Sequence, residues 1–406
     1  MEVKPGYKQT EVGVIPEEWD VQNIGDAMTL VNGRAFKPED WKQHGTPIIR
    51  IQNLNNADAV FNYCHTPIEE KHRITKGDVV FAWSGTTGTS FGARIWNGPT
   101  GVLNQHIFRV IANPQKLTPI YSFLILQRVQ EDIEKQAHGF KASFVHVKKS
   151  DLVKVSLPIP PFPEQRAIAE ALTDVDALLS GLERLIAKKR DLKQATMQQL
   201  LTGKIRLPGF HGDWCLKNLG KVADIDPENL STETASEFQF NYISLEDVER
   251  GRLEAHSEQV FQAAPSRARR ILRDEDVLVS TVRPNRLSHL LFQGNNRPWV
   301  CSTGFSVVRC RSGITHSGYV FFQMFGRCVN RQIEALLTGS NYPAINSGDV
   351  WNLEIPFPEY DEQAAIAEVL LDMDAEIAAL EKRREKTRAL KQALMQELLT
   401  GKTRLI

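Results

Sequence analysis

A chain of 406 residues is longer than one ordinary hydrophobic core organises, and its length predicts two or three domains. Its 42% hydrophobic and 24% charged residues are those of a soluble globular protein, and no run approaches the ~18 apolar residues of a membrane span. Lys+Arg and Asp+Glu both total 49, so the formal charge is zero. That balance argues against coating nucleic acid by electrostatics alone, but leaves room for local basic patches whose DNA affinity is shared with a partner.

The opening stretch MEVKPGYKQTEVGVIPEEW has no apolar segment and is not expected to be a signal peptide. Trp19 and Val21-Gln22-Asn23-Ile24-Gly25 lead into a first variable region with strand-like runs at 47–51, 78–83 and 106–110. After the second run comes Ser84-Gly85-Thr86-Thr87-Gly88-Thr89, a loop rich in hydroxyls and accessible backbone N–H groups. Arg94, Asn104 and Gln105 follow closely in sequence. A helical stretch near 118–136, a candidate contact loop at 139–146 that includes Lys141, and a proline-rich exit at 158–163 complete the region.

The next segment begins a repeat. Residues 164–207 (EQRAIAEALTDVDALLSGLERLIAKKRDLKQATMQQLLTGKIRL) recur at 362–405, gap-free, at a constant offset of 198 positions. Ile168, Leu172, Val175, Leu179 and Leu182 follow 4-3-4-3 spacing, and Ile366, Leu370, Met373, Ile377 and Leu380 do the same. This is the seam of a coiled coil. A lone surface helix on a globular core would show such a stripe once; two similar stripes are most simply each other's partners. The proline-rich leads, with Asp361 as an expected N-cap, start the helices, and Gly203 and Gly401 end them. Since the first helix leads from region one to region two and the second leads away from region two, packing them together predicts an antiparallel pair with a pseudo-two-fold axis.

Trp214 and Leu216-Lys217-Asn218-Leu219-Gly220 then repeat the Trp19 lead. Strand-like runs at 241–245, 276–280 and 305–309 and a helical stretch near 316–337 repeat the layout of the first region. Its loops differ: Arg267, Arg269, Arg270 and Arg273 precede Thr281, Arg283, Asn285 and Arg286, and a loop at 339–344 includes Asn341. Arginine suits guanine, Asn or Gln suits adenine, and hydroxyls suit phosphates, so these residues and their counterparts in the first region are DNA-binding candidates. The fold class expected is therefore α/β (α+β): a tandem repeat of two globular domains (1–158 and 205–356) separated by two long helices (159–204 and 357–406).

No catalytic constellation emerges. Asp226-Pro227-Glu228-Asn229 is not an NPPY-type loop, Gly401-Lys402-Thr403 lacks the earlier glycine of a P-loop (Gln396 stands there), and no HExxH motif occurs. Cys64, Cys215, Cys301, Cys310 and Cys328 form no CxxC pair, which predicts thiols in a reducing cytoplasm and no metal site.

The chain resembles the specificity subunit of a type I restriction–modification enzyme over essentially its whole length. The resemblance rests on Tyr7–Trp19, Trp83–Trp96, Leu103–Phe108 and above all the two PFP–EQ…AIAE…LLTGK helix regions. It implies a phage-defence role in which each domain reads one half of a bipartite, asymmetric sequence in double-stranded DNA. The helices would set the spacer and dock two methyltransferase (modification) subunits, with restriction/translocase subunits added. S-adenosylmethionine, ATP and Mg would then belong to those partners, and this chain would bind no cofactor and catalyse nothing. The competing expectation is a stand-alone DNA-binding or scaffold protein. A helix over 164–202 spans roughly 58 Å at about 1.5 Å per residue. That length corresponds to at most ~17 base pairs at about 3.4 Å each.

Overall fold

A computed structural model describes residues 3–56, 58–65, 67–139, 143–337 and 343–405. It divides the chain into two units, Met1–Gly181 with Arg383–Ile406, and Leu182–Lys382. The division falls inside both long helices, Phe162–Leu200 and Tyr360–Leu398, so each helix contributes one half to each unit.

In the first unit a four-stranded antiparallel sheet runs in the order Gly92–Ile95, Val79–Ala82, Ile107–Ala112, Met28–Asn32. Every residue of Val79–Ala82 is buried because the strand divides two cores. Val79 and Phe81 face the main core, which includes the helix Pro119–Gly139, while Val80 faces a smaller cluster with Ile49, Trp96 and Ile107. A strand covered on both faces reads as a continuous apolar run, which is why its sequence does not alternate. A second sheet, Asn62–Cys64, Thr46–Ile49, Gly101–Leu103, Arg73–Ile74, closes that smaller cluster and contains one parallel pairing, Thr46–Ile49 with Gly101–Leu103.

The second unit repeats this order. Leu290–Leu291, Val277–Ser280, Phe305–Cys310 and Ala223–Ile225 form its first sheet. Ser257–Val260, Gln239–Ile243, Trp299–Ser302 and Ala268–Leu272 form its second, again with one parallel pairing. The expected mixed α/β class and the tandem repeat are borne out. Among the elements that differ, the single helix Pro119–Gly139 becomes Ser317–Phe325 and Arg327–Leu337, interrupted at Gly326.

Within each unit the two half-helices lie antiparallel, as expected. In the second unit Lys189 pairs with Glu376 and Lys193 with Asp374, so the partner number falls as the first rises. In the first, Glu164 meets Arg404 and Asp176 meets Lys391. Ile168, Leu172, Leu182, Ile366, Leu370 and Ile377 are buried, and Val175, Leu179, Met373 and Leu380 half-buried. Ile168 and Leu172 share the main core of the first unit with Met395, Leu398 and Leu399, so there the seam merges with the globular core.

Both helices begin two residues earlier than position 164 or 362. Pro163 occupies the first turn, where its missing N–H has no intrahelical partner to lose. Asp361 is not the N-cap: it lies inside the first turn, and the Glu359 carbonyl receives the Glu362 and Gln363 N–H groups. Gly203 and Gly401 adopt φ of 68° and 70°, the left-handed conformation that ends a helix without a Cβ penalty.

The recurring Glu-Gln at the helix starts is a buried lock. Glu164, 0% exposed, accepts from Trp19 Nε1 at 2.7 Å and from the Arg404 guanidinium. Glu362 likewise accepts from Trp214 Nε1 at 3.0 Å and from Arg206. Gln165 and Gln363 tie the Thr118 and His316 N–H groups to the carbonyls of Pro160 and Pro358. The arginines follow the glycine turns at the helix ends, so in each unit one helix's tail is fastened to the other helix's start. Each glutamate holds its arginine's pKa above the ordinary value, through a side-chain hydrogen bond.

Candidate nucleic-acid interface

The same strand ends carry the candidate loops in both units. In the first unit Val79–Ala82 leads through Trp83 to Ser84–Thr86, which pairs antiparallel with Phe144–His146. The two segments singled out from the sequence, 84–89 and 139–146, are thus neighbours: Thr87 N donates to Ser143 O at 3.0 Å and Val147 N to Trp83 O at 2.9 Å. Thr86 and Thr89 are exposed and Thr87 half-buried, but Ser84 is buried within the pairing. Arg94 braces the loop from beneath, donating to Thr89 O at 3.0 Å and Ala93 O at 2.8 Å. Asn104 is half-buried and accepts from the Gln105 N–H at 2.9 Å, while Gln105 is exposed. Lys141 lies outside the described residues.

In the second unit Thr281 continues Val277–Ser280. It is buried, donates its hydroxyl to Gly304 O at 2.8 Å, and receives the Ile345 N–H at 2.9 Å. Arg283 N donates to Pro343 O, so the 281–286 and 343–345 segments meet as their counterparts do. Arg283 and Leu287 hold φ of 50° and 57° around the turn Pro284–Arg286. Non-glycine residues reach this region only at a conformational cost, and such strain gathers at ligand sites. Arg283, Asn285 and Arg286 are exposed, as is Arg267, whose carbonyl receives the Thr303 N–H at the adjoining turn. Asn341 lies outside the described residues.

The arginines of the cluster differ in their partners within the chain. Arg270 pairs with Asp226 at 3.1 Å, and Arg273 pairs with Glu228. Arg309, which the sequence did not single out, bridges Glu228 and Asp276 at 2.9 and 2.8 Å. Hydrogen bonding to the Asp276 carboxylate raises its pKa above the usual arginine value. Arg269 lies over the Phe261 ring at 5.2 Å. Arg267, Arg283 and Arg286 have no ion pair among the described residues, and Arg267 adjoins the Thr303–Gly304 turn. Sequence spacing could not separate these sets, because the neutralising carboxylates stand some forty positions upstream.

Sequence reasoning noted the loops holding His106 and His146 but not that both rings gather on Trp83 at the first unit's strand ends, with centroids 4.9–5.1 Å from it. The available signal was that Trp83 and His106 bound two of the strand runs; His146 is too remote in sequence to join them. Among the described residues no group of His, Cys, Asp and Glu could hold a metal ion, and no helix is long and apolar enough to cross a membrane.

Residues 16–194 and 212–389 each match the type I restriction modification DNA specificity domain. The putative type I restriction enzyme MjaX specificity subunit of Methanocaldococcus jannaschii is 24% identical over 98% of this chain and 96% of its own length. The MjaVIII specificity subunit of the same organism is 22% identical over 96% and 94%. The EcoBI specificity subunit of Escherichia coli matches 47% of the chain at 24% identity. Among solved structures, the type I restriction–modification S subunit from M. genitalium shares the fold, with a TM-score of 0.59, 15% identity and 98% of each chain covered. A chain solved for complex assembly and conformational transition of the type I system has a TM-score of 0.56 and 18% identity, covering 96% of this chain and 99% of that one. Two matched copies of a DNA specificity domain, spread over most of the chain, define the class: a DNA-recognition protein of a restriction system. The chain belongs to the type I restriction–modification specificity subunit family.

Proposed function

We propose that each unit reads a different half of a bipartite, asymmetric target in double-stranded DNA. One observation carries this reading: two units of identical sheet order present different side chains at the same strand ends. The first offers Thr86, Thr87, Thr89 and Gln105; the second offers Arg267, Arg283, Asn285 and Arg286. Hydroxyls and arginines serve phosphate positioning, while Gln and Arg also match adenine and guanine edges.

The long helices set the spacer and dock two methyltransferase subunits, to which restriction/translocase subunits are added in the cytoplasm. S-adenosylmethionine, ATP and Mg are bound by those partners, and this chain is non-catalytic. Methylome sequencing of a host carrying the chain with its modification subunits tests the reading. The expected motif has two unlike half-sites and a fixed gap; a continuous motif, or purified chain that methylates DNA unaided, ends it. Insertion of four residues at Gly181 should lengthen the gap and leave both half-sites intact, and an unchanged gap would refute the spacer role.

A further inference from the structure

Gln105 is exposed at the turn between Gly101–Leu103 and Ile107–Ala112, and its side chain has one hydrogen-bond partner within the chain. Its amide nitrogen lies 3.2 Å from His106 Nε2. His106 in turn packs its ring against Trp83 at 5.1 Å, and Trp83 is enclosed by His146 at 4.9 Å and Phe108 at 5.8 Å. Trp83 Nε1 and His106 Nδ1 are buried without a hydrogen-bond partner among the described residues. Buried polar groups are rarely left so, and each such exception calls for a reason. With one amide N–H directed at His106, Gln105 keeps one N–H to donate and its carbonyl oxygen to accept. That is the pair of groups required by adenine N7 and N6 in the major groove.

The neighbouring strand supplies an apolar surface. Phe144 stands opposite Thr86, shares one strand face with His146, and is 61% exposed. An exposed phenyl ring suits the methyl group of thymine.

The second unit has none of this at the same places. Positions 83, 105, 106 and 146 correspond to Thr281, Thr303, Gly304 and Ala344, with the same backbone hydrogen bonds: Trp83 N to His106 O at 3.2 Å, and Thr281 N to Gly304 O at 2.8 Å.

We propose that Gln105, oriented by His106 and flanked by Phe144, reads one A·T base pair in the half-site of the first unit. His106 is a positioning residue, acting through the Gln105 amide, and Trp83 holds His106. The inference rests on the reading that this unit meets DNA in the major groove.

The test is methylome sequencing of hosts carrying the full chain with its modification subunits, as wild type, Gln105→Ala, His106→Gly and Phe144→Ala. Gln105 and Phe144 are exposed, so those two variants remove little from the fold. Gln105→Ala should cut discrimination at one A·T position on the order of tenfold, in one half-site only. Phe144→Ala and His106→Gly should relax the same position, with the other half-site and the gap unchanged. A merely structural role for His106 would lower methylation without changing base preference. A bipartite wild-type motif left intact by Gln105→Ala, or relaxed at a G·C position, overturns the proposal alone. A wild-type chain that directs no motif overturns the underlying reading and this proposal with it.

Discussion

The two units share sheet order, parallel pairing and helix-start locks, yet they differ in how they treat charge. The first has a thinly charged strand end with aromatic and amide side chains. The second has many arginines, but neutralises several with its own carboxylates and leaves others free. One scaffold thus supports two surfaces because its hydrogen bonding at the strand ends is made by backbone. Side chains there can change without rebuilding the sheet.

The deepest test of the comparison removes a lock. Glu362→Ala would strip the acceptor from Trp214 and leave Arg206 uncompensated beside a site only 1% exposed. Losing the carboxylate leaves the Trp214 indole N–H without its acceptor and removes the tie to Arg206, which destabilises the second unit. Hydrogen exchange should show protection lost in 182–382, and Glu164→Ala should do the same for the other unit. Loss spread evenly over both units would mean that the locks are not local.

A second difference is titratable. His289 is fully buried where the strand register of the first unit has Ala93, and burial lowers its pKa to about 4 from 6.5. The unfolded chain therefore binds the proton more readily, so this stability is present above about pH 6.5 and is lost as the pH falls toward 4. The full shift is worth on the order of 3 kcal/mol. Denaturation of wild type and His289→Phe at pH 7 and pH 5 should show a shallower acid loss in the variant. His289→Phe also removes the acceptor of the Ser280 N–H, so only the pH dependence is diagnostic.

The arginines sharpen the comparison further. Arg283→Ala and Arg267→Ala should each weaken DNA binding by about 1–3 kcal/mol if they meet bases, or reduce the salt slope by about one if they meet phosphates. Arg270→Ala should leave the salt slope unchanged and destabilise the second unit by exposing the need of Asp226 for a partner. Binding isotherms across a salt series separate the three. Equal slopes for Arg270 and Arg283 variants would mean that the ion-paired and unpaired arginines meet DNA alike.

The smallest effect lies where the units divide. Gly181 is helical, a Cβ there meets nothing within 4 Å, and its counterpart in the second helix is Ala379. Gly181→Ala should stabilise the chain by about 0.5–1 kcal/mol in denaturant unfolding, and destabilisation would mean that the position is packed.

The long helices and the strands were legible because periodicity and apolar runs are local signals. The seam at Ile168 and Leu172 was legible as a stripe, but not as part of a globular core, because Met395 and Leu399 come from the far end of the chain. Trp19 and Trp214 were visible as repeats while their partners Glu164 and Glu362 were visible only as motif letters. For Arg270 and Arg273, residue type suggested DNA, and only the fold reveals that each also has a carboxylate partner within the chain, Asp226 and Glu228. Long-range electrostatics leaves little mark on sequence spacing.

The two units also differ in when they can close during synthesis. The second is a continuous stretch of chain, 182–382, complete once its last residue leaves the ribosome. The first needs 383–406, including Arg404 for its Glu164, and so can close only after the whole of the second has been made. The half made first is finished last. Until then Ile168 and Leu172 lack the cover of Met395, Leu398 and Leu399, which leaves the nascent first unit an apolar face that other chains could claim.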